Sequence, residues 1–250
     1  MTIESHHDLA ELRALGLVAA GIRDRVAAAA VGGVTTRNLD ELARKLAGRA
    51  GARSAPQDEY DFPGFLCLSV NDAVVHGIPD AHVLQAGDLL TVDVTITRGG
   101  YVVDPATTVE VGAGSNRLAA CAASALDRGL GALAQSRGLP ATGMAIETEV
   151  QGWGYHVLRQ LCGHGVGRRI HEWPAVPNFG DPATAFPLWD GLVLAVEPII
   201  AERRADVVED DDGWTLRTSN GCRAAHCEHT VVITPNGVTI LTGPEIESGR

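Results

Sequence analysis

Four acidic residues lie inside stretches of this chain that otherwise read as buried strand. Asp93 sits between Val92 and Val94, and Asp104 follows Tyr101-Val102-Val103. Glu197 falls in Leu194-Ala195-Val196-Glu197-Pro198-Ile199-Ile200, and Glu228 in Ala225-His226-Cys227-Glu228-His229-Thr230-Val231. An ionised carboxylate in such a run is costly unless something compensates it. Any one of them alone reads most simply as a strand-end residue or an ion-pair partner. Four together, with few lysines or arginines nearby in the sequence, point to a bound cation.

Three histidines stand out, two of them, His164 and His76, beside glycine. His164 lies in Gly163-His164-Gly165-Val166-Gly167, where the glycines free the backbone around one imidazole. His171-Glu172-Trp173-Pro174 follows seven residues later, and His76 lies in Val75-His76-Gly77-Ile78-Pro79. Strand alternation puts His226, Glu228 and Thr230 on one face. Four carboxylates and one histidine form an oxygen-rich set suited to Mn²⁺, Fe²⁺, Co²⁺ or Zn²⁺. Carboxylates can bridge, so this number of acids favours two metals, ~3.5–4 Å apart. Such a pair activates water near neutral pH and polarises a carbonyl, and the chemistry implied is hydrolysis.

The elements that must position these groups follow from periodicity. Residues 89–104 read as two arms of a hairpin around Arg98-Gly99-Gly100. Residues 5–30 read as a helix, and a second starts at Thr36 or Asn38 and ends before Gly51. Residues 52–64 read as a loop and 65–70 as a buried strand. Gly112 to Gly114 breaks the chain before a helix at 116–138, and another helix is expected over 145–162. A long irregular stretch follows, with Pro174, Pro177, Pro182 and Pro187. The last third is strand-like, closing on a Pro235-Asn236-Gly237 turn. Each half has helices, then two acid-bearing strands. Two similar halves facing each other would bring all four carboxylates to one centre, and 250 residues allow one large domain or two small ones.

Composition narrows the function. The chain has 250 residues, 45% hydrophobic and 20% charged, which fits a globular domain. A net charge of −11 argues against a nucleic-acid or anionic-membrane surface, since both reward clustered Lys and Arg. The first residues lack the apolar core of a signal peptide, and no apolar run is long enough to span a bilayer. The five cysteines are odd in number and scattered, as expected of reduced cytoplasmic thiols. Cys222 and Cys227 have the look of half a zinc site, but no second pair exists.

Taken together, SVNDAVVHGIP, GDLLTVDVTITRGGYVVD, CGHGVGRRIHEWPAVPNF, LVLAVEPII, GWTLRT and AAHCEHTVVIT, in this order, resemble the type I methionine aminopeptidases. The resemblance covers nearly the whole chain. It implies a single α+β catalytic domain over 1–250 with a pita-bread fold, a pseudo-symmetric antiparallel sheet core with helices packed outside. It implies two divalent metal ions held by Asp93, Asp104, His164, Glu197 and Glu228, with Asp104 and Glu228 bridging and Asp93 binding through both oxygens. Glu197 would also shuttle the proton of the attacking water. His76 would contact the scissile peptide, and His171 would stabilise the oxyanion. Phe62, Cys67 and Trp214 would help enclose the methionine side chain. The implied substrates are nascent polypeptide N-termini near the ribosome, acted on by a cytoplasmic monomer. The sequence departs from the family pattern in the acidic loop 55–64, which carries Asp58, Glu59, Tyr60 and Asp61, and at Val103, Pro105 and Trp173. An altered first-residue preference and a non-catalytic pita-bread binding protein are the alternatives.

Overall fold

The computed structural model describes residues 1–112, 114–136 and 138–243. In the first half, α1 (His6–Ala29) and α2 (Thr36–Arg49) lead into β1 (Arg53–Ser54), α3 (Ala55–Tyr60), β2 (Cys67–Val70) and β3 (Ala73–Val75). Then come β4 (Leu89–Asp93), β5 (Ile96–Arg98), β6 (Tyr101–Val103) and β7 (Ala106–Glu110). Ser5 and Asp8 form a reciprocal cap on α1, and Thr35 and Asn38 do the same for α2. Each such pair satisfies backbone N–H groups that a helix start leaves open. The cap of α2 thus lies one residue before the earlier of its two expected starts.

The second half begins with α4 (Arg117–Ser136) and α5 (Leu139–Gly152), then β8 (His156–Val157), β9 (Cys162–Gly165) and β10 (Glu172–Pro177). It continues through β11 (Val193–Val196), β12 (Ile199–Ala201), β13 (Val207–Glu209), β14 (Leu216–Thr218), β15 (Ala224–His226), β16 (His229–Thr234) and β17 (Gly237–Ile240). All strand pairings among the named strands are antiparallel.

The two halves are built alike. The expected hairpin at 89–104 is longer and bent: β4 pairs with β7 beside β2, whereas β5 pairs with β6 beside β1. The chain leaves one sheet after Asp93 and returns to it after Asp104. In the second half β11 pairs with β16, and β12 with β15, in two further sheets. Glu197 and Glu228 occupy the two changeovers. Residues 106 and 228 join the halves, because the Glu228 N–H donates to the Ala106 carbonyl at 3.0 Å and the Ala106 N–H to the Glu228 carbonyl at 3.3 Å. Helices cover the outer faces. Leu12, Leu15, Ile22 and Leu39 pack with Leu90 and Val92, and Leu118, Cys121, Leu126 and Ile146 with Leu194 and Val231.

Three expectations change. The 52–64 loop contains β1 and α3, because Ser54 caps a short helix whose first turn holds Pro56, where a missing N–H costs nothing. The helix expected over 145–162 runs instead from Leu139 to Gly152; Pro140 is tolerated in its first turn, and Gly154, at φ 84°, turns the chain away. The proline-rich stretch includes β10, which tolerates Pro174 and Pro177 because it is an edge strand. Positions 113 and 137, which belong to the expected glycine break and the 116–138 helix, lie outside the described residues, as does 244–250 of the expected domain.

Candidate metal centre

The sheet changeovers explain why acids are tolerated in apolar strands. Where a strand pair bends from one sheet to the next, inward side chains face the gap between sheets instead of a packed layer. Asp93 is the last residue of β4, opposite Cys67 on β2 and Ala106 on β7. Asp104 follows β6, and its N–H donates to the Thr230 hydroxyl at 2.8 Å. Glu197 lies between β11 and β12, where Asn178 Nδ2 donates to its carbonyl at 2.8 Å. Glu228 lies between β15 and β16.

All four carboxylates open into one cavity of about 270 Å³, together with Thr95, His76, His164, His171 and His226. His164 Nε2 is 3.3 Å from Glu197 Oε1 and 3.9 Å from Asp104 Oδ2. His226 Nε2 is 3.4 Å from Glu197 Oε2 and 3.5 Å from Glu228 Oε2. The Thr95 hydroxyl lies 2.6 Å from Asp104 Oδ1 and 3.3 Å from Asp93 Oδ1, linking the two aspartates. Ligand atoms of Asp104, His164 and Glu228 lie within 4.8 Å of one another, as do those of Glu197, His226 and Glu228.

Electrostatically this cluster is unstable by itself. Burial, then Asp104 and Asp93, pushes the Glu197 carboxyl well above its usual range. Burial followed by Asp104 and Glu197 does the same to Glu228, and burial with Asp104 to Asp93. Among the described residues, no lysine or arginine pairs with any of the four. Glu228 Oε1 and both ring nitrogens of His226 have no hydrogen-bond partner. Buried like charges and orphaned donor atoms of this kind are what a divalent cation resolves, and oxygen with imidazole nitrogen is a suitable donor set. The residues fit a divalent metal site.

The glycines around His164 act differently from expectation. Neither Gly163 nor Gly165 has a positive φ. A Cβ on Gly163 would stand 2.3 Å from the Ala195 carbonyl oxygen, and one on Gly165 2.2 Å from that of Trp173. They are needed because β10 and β11 approach β9 closely, and this close packing sets His164 at the cavity. His76 has a left-handed backbone, φ 57°, unusual for a side-chain-bearing residue. Burial lowers its imidazole.

His171 has an exposed outer edge, but its ring packs 4.5 Å from that of His164. Burial first, and His164 second, lowers it to about 4, so it is neutral at pH 7. The side wall of the cavity includes Phe62, Cys67 and Trp214, with Phe62 and Trp214 edge to face at 5.2 Å. Tyr60 and Pro56 extend this wall from α3. The acids of the 55–64 segment are used internally. Asp58 accepts from Arg53 at 2.7 Å, and Glu59 Oε1 accepts the Ile170 N–H at 3.1 Å.

Every site residue singled out in the sequence therefore borders this cavity. Sequence reasoning missed Thr95 and the bracing by Glu59 and Tyr60, which act across long chain separations. His226 was placed on the face of Glu228 but given no part. Its signal was the two-residue spacing to Glu228. Cys222 and Cys227 are both buried free thiols and do not join the ligand groups.

A sequence profile of metallopeptidase family M24 matches residues 10–235. Methionine aminopeptidase 2 of Bacillus subtilis (strain 168) is 36% identical over 247 residues, covering 97% of this chain and 99% of that protein. The methionine aminopeptidase of Clostridium perfringens (strain 13 / Type A) is 38% identical over 213 residues, 84% of this chain and 86% of that one. The crystal structure of methionine aminopeptidase from Thermotoga maritima superposes with a TM-score of 0.91 at 32% identity, over 98% of this chain and 100% of that chain. The prolidase from Pyrococcus furiosus shares the fold at a TM-score of 0.70 and 21% identity, but this chain covers only 66% of it. With a pita-bread fold, a cavity of metal-ligand side chains and relatives matched along almost their whole length, the chain belongs to metallopeptidase family M24, among its methionine aminopeptidases.

Proposed function

We propose that this protein removes the initiator methionine from nascent proteins and peptides whose second residue is small, using two divalent cations. Asp93, Asp104, His164, Glu197 and Glu228 would hold the pair. When bound, the cations activate water near neutral pH and polarise the scissile carbonyl. The observation that carries this reading is the meeting of the buried Asp104, Glu197, Glu228 and His164 with the half-buried Asp93 at one cavity with an aromatic and sulfur-lined wall.

The chain's own groups do the rest. Glu197 takes the proton from the attacking water and passes it to the departing amine. His171, neutral at pH 7, donates a hydrogen bond where negative charge develops on the carbonyl oxygen. With the Tyr60 hydroxyl donating to Nδ1, the His171 proton sits on Nε2. His76 hydrogen-bonds the scissile peptide. Phe62, Cys67 and Trp214 enclose the methionine side chain, whose thioether suits ring edges and sulfur. The protein works as a cytoplasmic monomer on polypeptide N-termini near the ribosome, as one domain over 1–250; no described helix is long and apolar enough to cross a membrane.

Release of methionine from Met-Ala-Ser by protein loaded with Mn²⁺ or Co²⁺ tests this. A folded, metal-loaded protein that cleaves no methionyl peptide refutes it. A library of first residues measures the preference: dominance of any residue but methionine would require a different wall occupant.

A further inference from the structure

Most of the cavity's polar groups are accounted for by the proposed pair, but His226 is not. It is 2% exposed, and neither ring nitrogen has a hydrogen-bond partner. A buried imidazole left this way is costly, so its position needs a reason. Its backbone is fixed on both sides: the His226 N–H donates to the Thr108 hydroxyl at 2.8 Å, and that hydroxyl donates to the His226 carbonyl at 2.8 Å. Pairing of His226 with Ile199 adds a rigid strand neighbour. The ring is therefore held where it is by the sheet.

The distances suit coordination better than hydrogen bonding. Donor atoms ~2.0–2.1 Å from one cation in tetrahedral directions stand roughly 3.3–3.4 Å apart. His226 Nε2 lies 3.4 Å from Glu197 Oε2 and 3.5 Å from Glu228 Oε2, too long for strong hydrogen bonds. His164 Nε2, a ligand in the reading above, lies 3.3 Å from the other oxygen of Glu197. By this measure the two imidazoles stand in equivalent relation to the carboxylates. The ligand atoms of Glu197, His226 and Glu228 all lie within 4.8 Å of one another.

We propose that His226 is a ligand of the metal centre, giving it two imidazoles, one from each side of Glu197. This rests on the dinuclear reading above. A second nitrogen donor shifts preference from Mn²⁺, which suits oxygen, towards Co²⁺, Fe²⁺ and Zn²⁺. The centre of this protein then holds cobalt or zinc more tightly than carboxylates and His164 alone would.

The test uses the full chain loaded with Co²⁺. X-ray absorption spectroscopy counts imidazoles from their outer-shell scattering, and competition with a chromophoric chelator gives Co²⁺ and Mn²⁺ affinities. Two imidazoles per metal pair are expected in the wild type and one in His226→Gln, with Co²⁺ affinity at one site falling about tenfold or more and Mn²⁺ affinity falling less. His171→Ala should retain both, which separates His226 from the other ring beside His164. His226→Asn replaces the glutamine variant if that one does not fold. One imidazole in the wild type, or a count unchanged by loss of His226, overturns this proposal alone. A wild-type protein that binds no divalent cation overturns the dinuclear reading and this proposal with it.

Discussion

The Tyr60 hydroxyl lies 2.8 Å from His171 Nδ1, although 111 residues separate them. One residue earlier, Glu59 accepts the Ile170 N–H. The short helix α3 thus grips the segment that carries His171 from two adjacent positions. This gives the unusual acidic segment 55–64 a use within the fold: it braces a proposed oxyanion donor.

Removing the hydroxyl should therefore slow turnover without disturbing the metal. A hydrogen bond of this kind is worth about 0.5–1.5 kcal/mol net, so Tyr60→Phe should lower kcat roughly 2- to 10-fold. Metal content by elemental analysis should not change. Unaltered kcat would show that His171 is oriented by other contacts.

The two kinds of site residue should separate by metal retention. Asp104→Asn or Glu228→Gln should abolish both metal loading and methionine release, if each carboxylate serves both cations as the family resemblance implies. His171→Ala should keep the metal and lose on the order of 10²–10³-fold in kcat, as for removal of an oxyanion donor. Full metal occupancy after loss of either acid would contradict the assignment.

Metal binding should also stabilise the fold, because it offsets the crowding of four acids around one cavity. At free metal 100-fold above Kd, linkage gives about 2.7 kcal/mol. For a chain of this length that is roughly 5–10 °C in Tm. Chelator-stripped protein titrated with Co²⁺ in a thermal melt should show this rise. A melting curve that ignores the metal would place binding away from the folded cluster.

A separate pH dependence belongs to Asp8, far from the metal site in sequence. The Tyr101 hydroxyl, donating at 2.7 Å, and then Ser5 hold its carboxyl at about 2. Its folded pKa is depressed, so the stability it contributes is present above the unfolded carboxylate range near 4. That stability is lost as pH falls towards 2. Tyr101→Phe should lower the urea midpoint clearly at pH 6 and by much less at pH 2, where the folded carboxyl itself takes up a proton. An equal deficit at both would assign the effect to packing of the ring.

The ligand-type residues were legible in the sequence because each acid violates its surroundings. Asp93, Asp104, Glu197 and Glu228 stand in apolar runs, and local composition alone marks that conflict. His76, His164 and His171 were singled out from their local sequence as well, and the family pattern gave them roles. Helices α1 and α2 were equally readable from apolar spacing and capping residues, and α4 from its apolar spacing. Helix α3 and strand β10 were not, because prolines that usually break elements sit where they do no harm, in a first turn and on a sheet edge.

What the sequence by itself determined was a cation-binding α+β enzyme of two similar halves. The bends were decided only in three dimensions. A run such as Leu194 to Ile200 reads as one strand, yet it belongs to two sheets with Glu197 at the turn between them. Alternation along a strand records which face a residue takes, but not where that strand exchanges one partner for another. The exchange depends on backbone pairing with residues far away, such as Ala106 with Glu228. The same long-range pairing set His226 beside the carboxylates and put Tyr60 on His171.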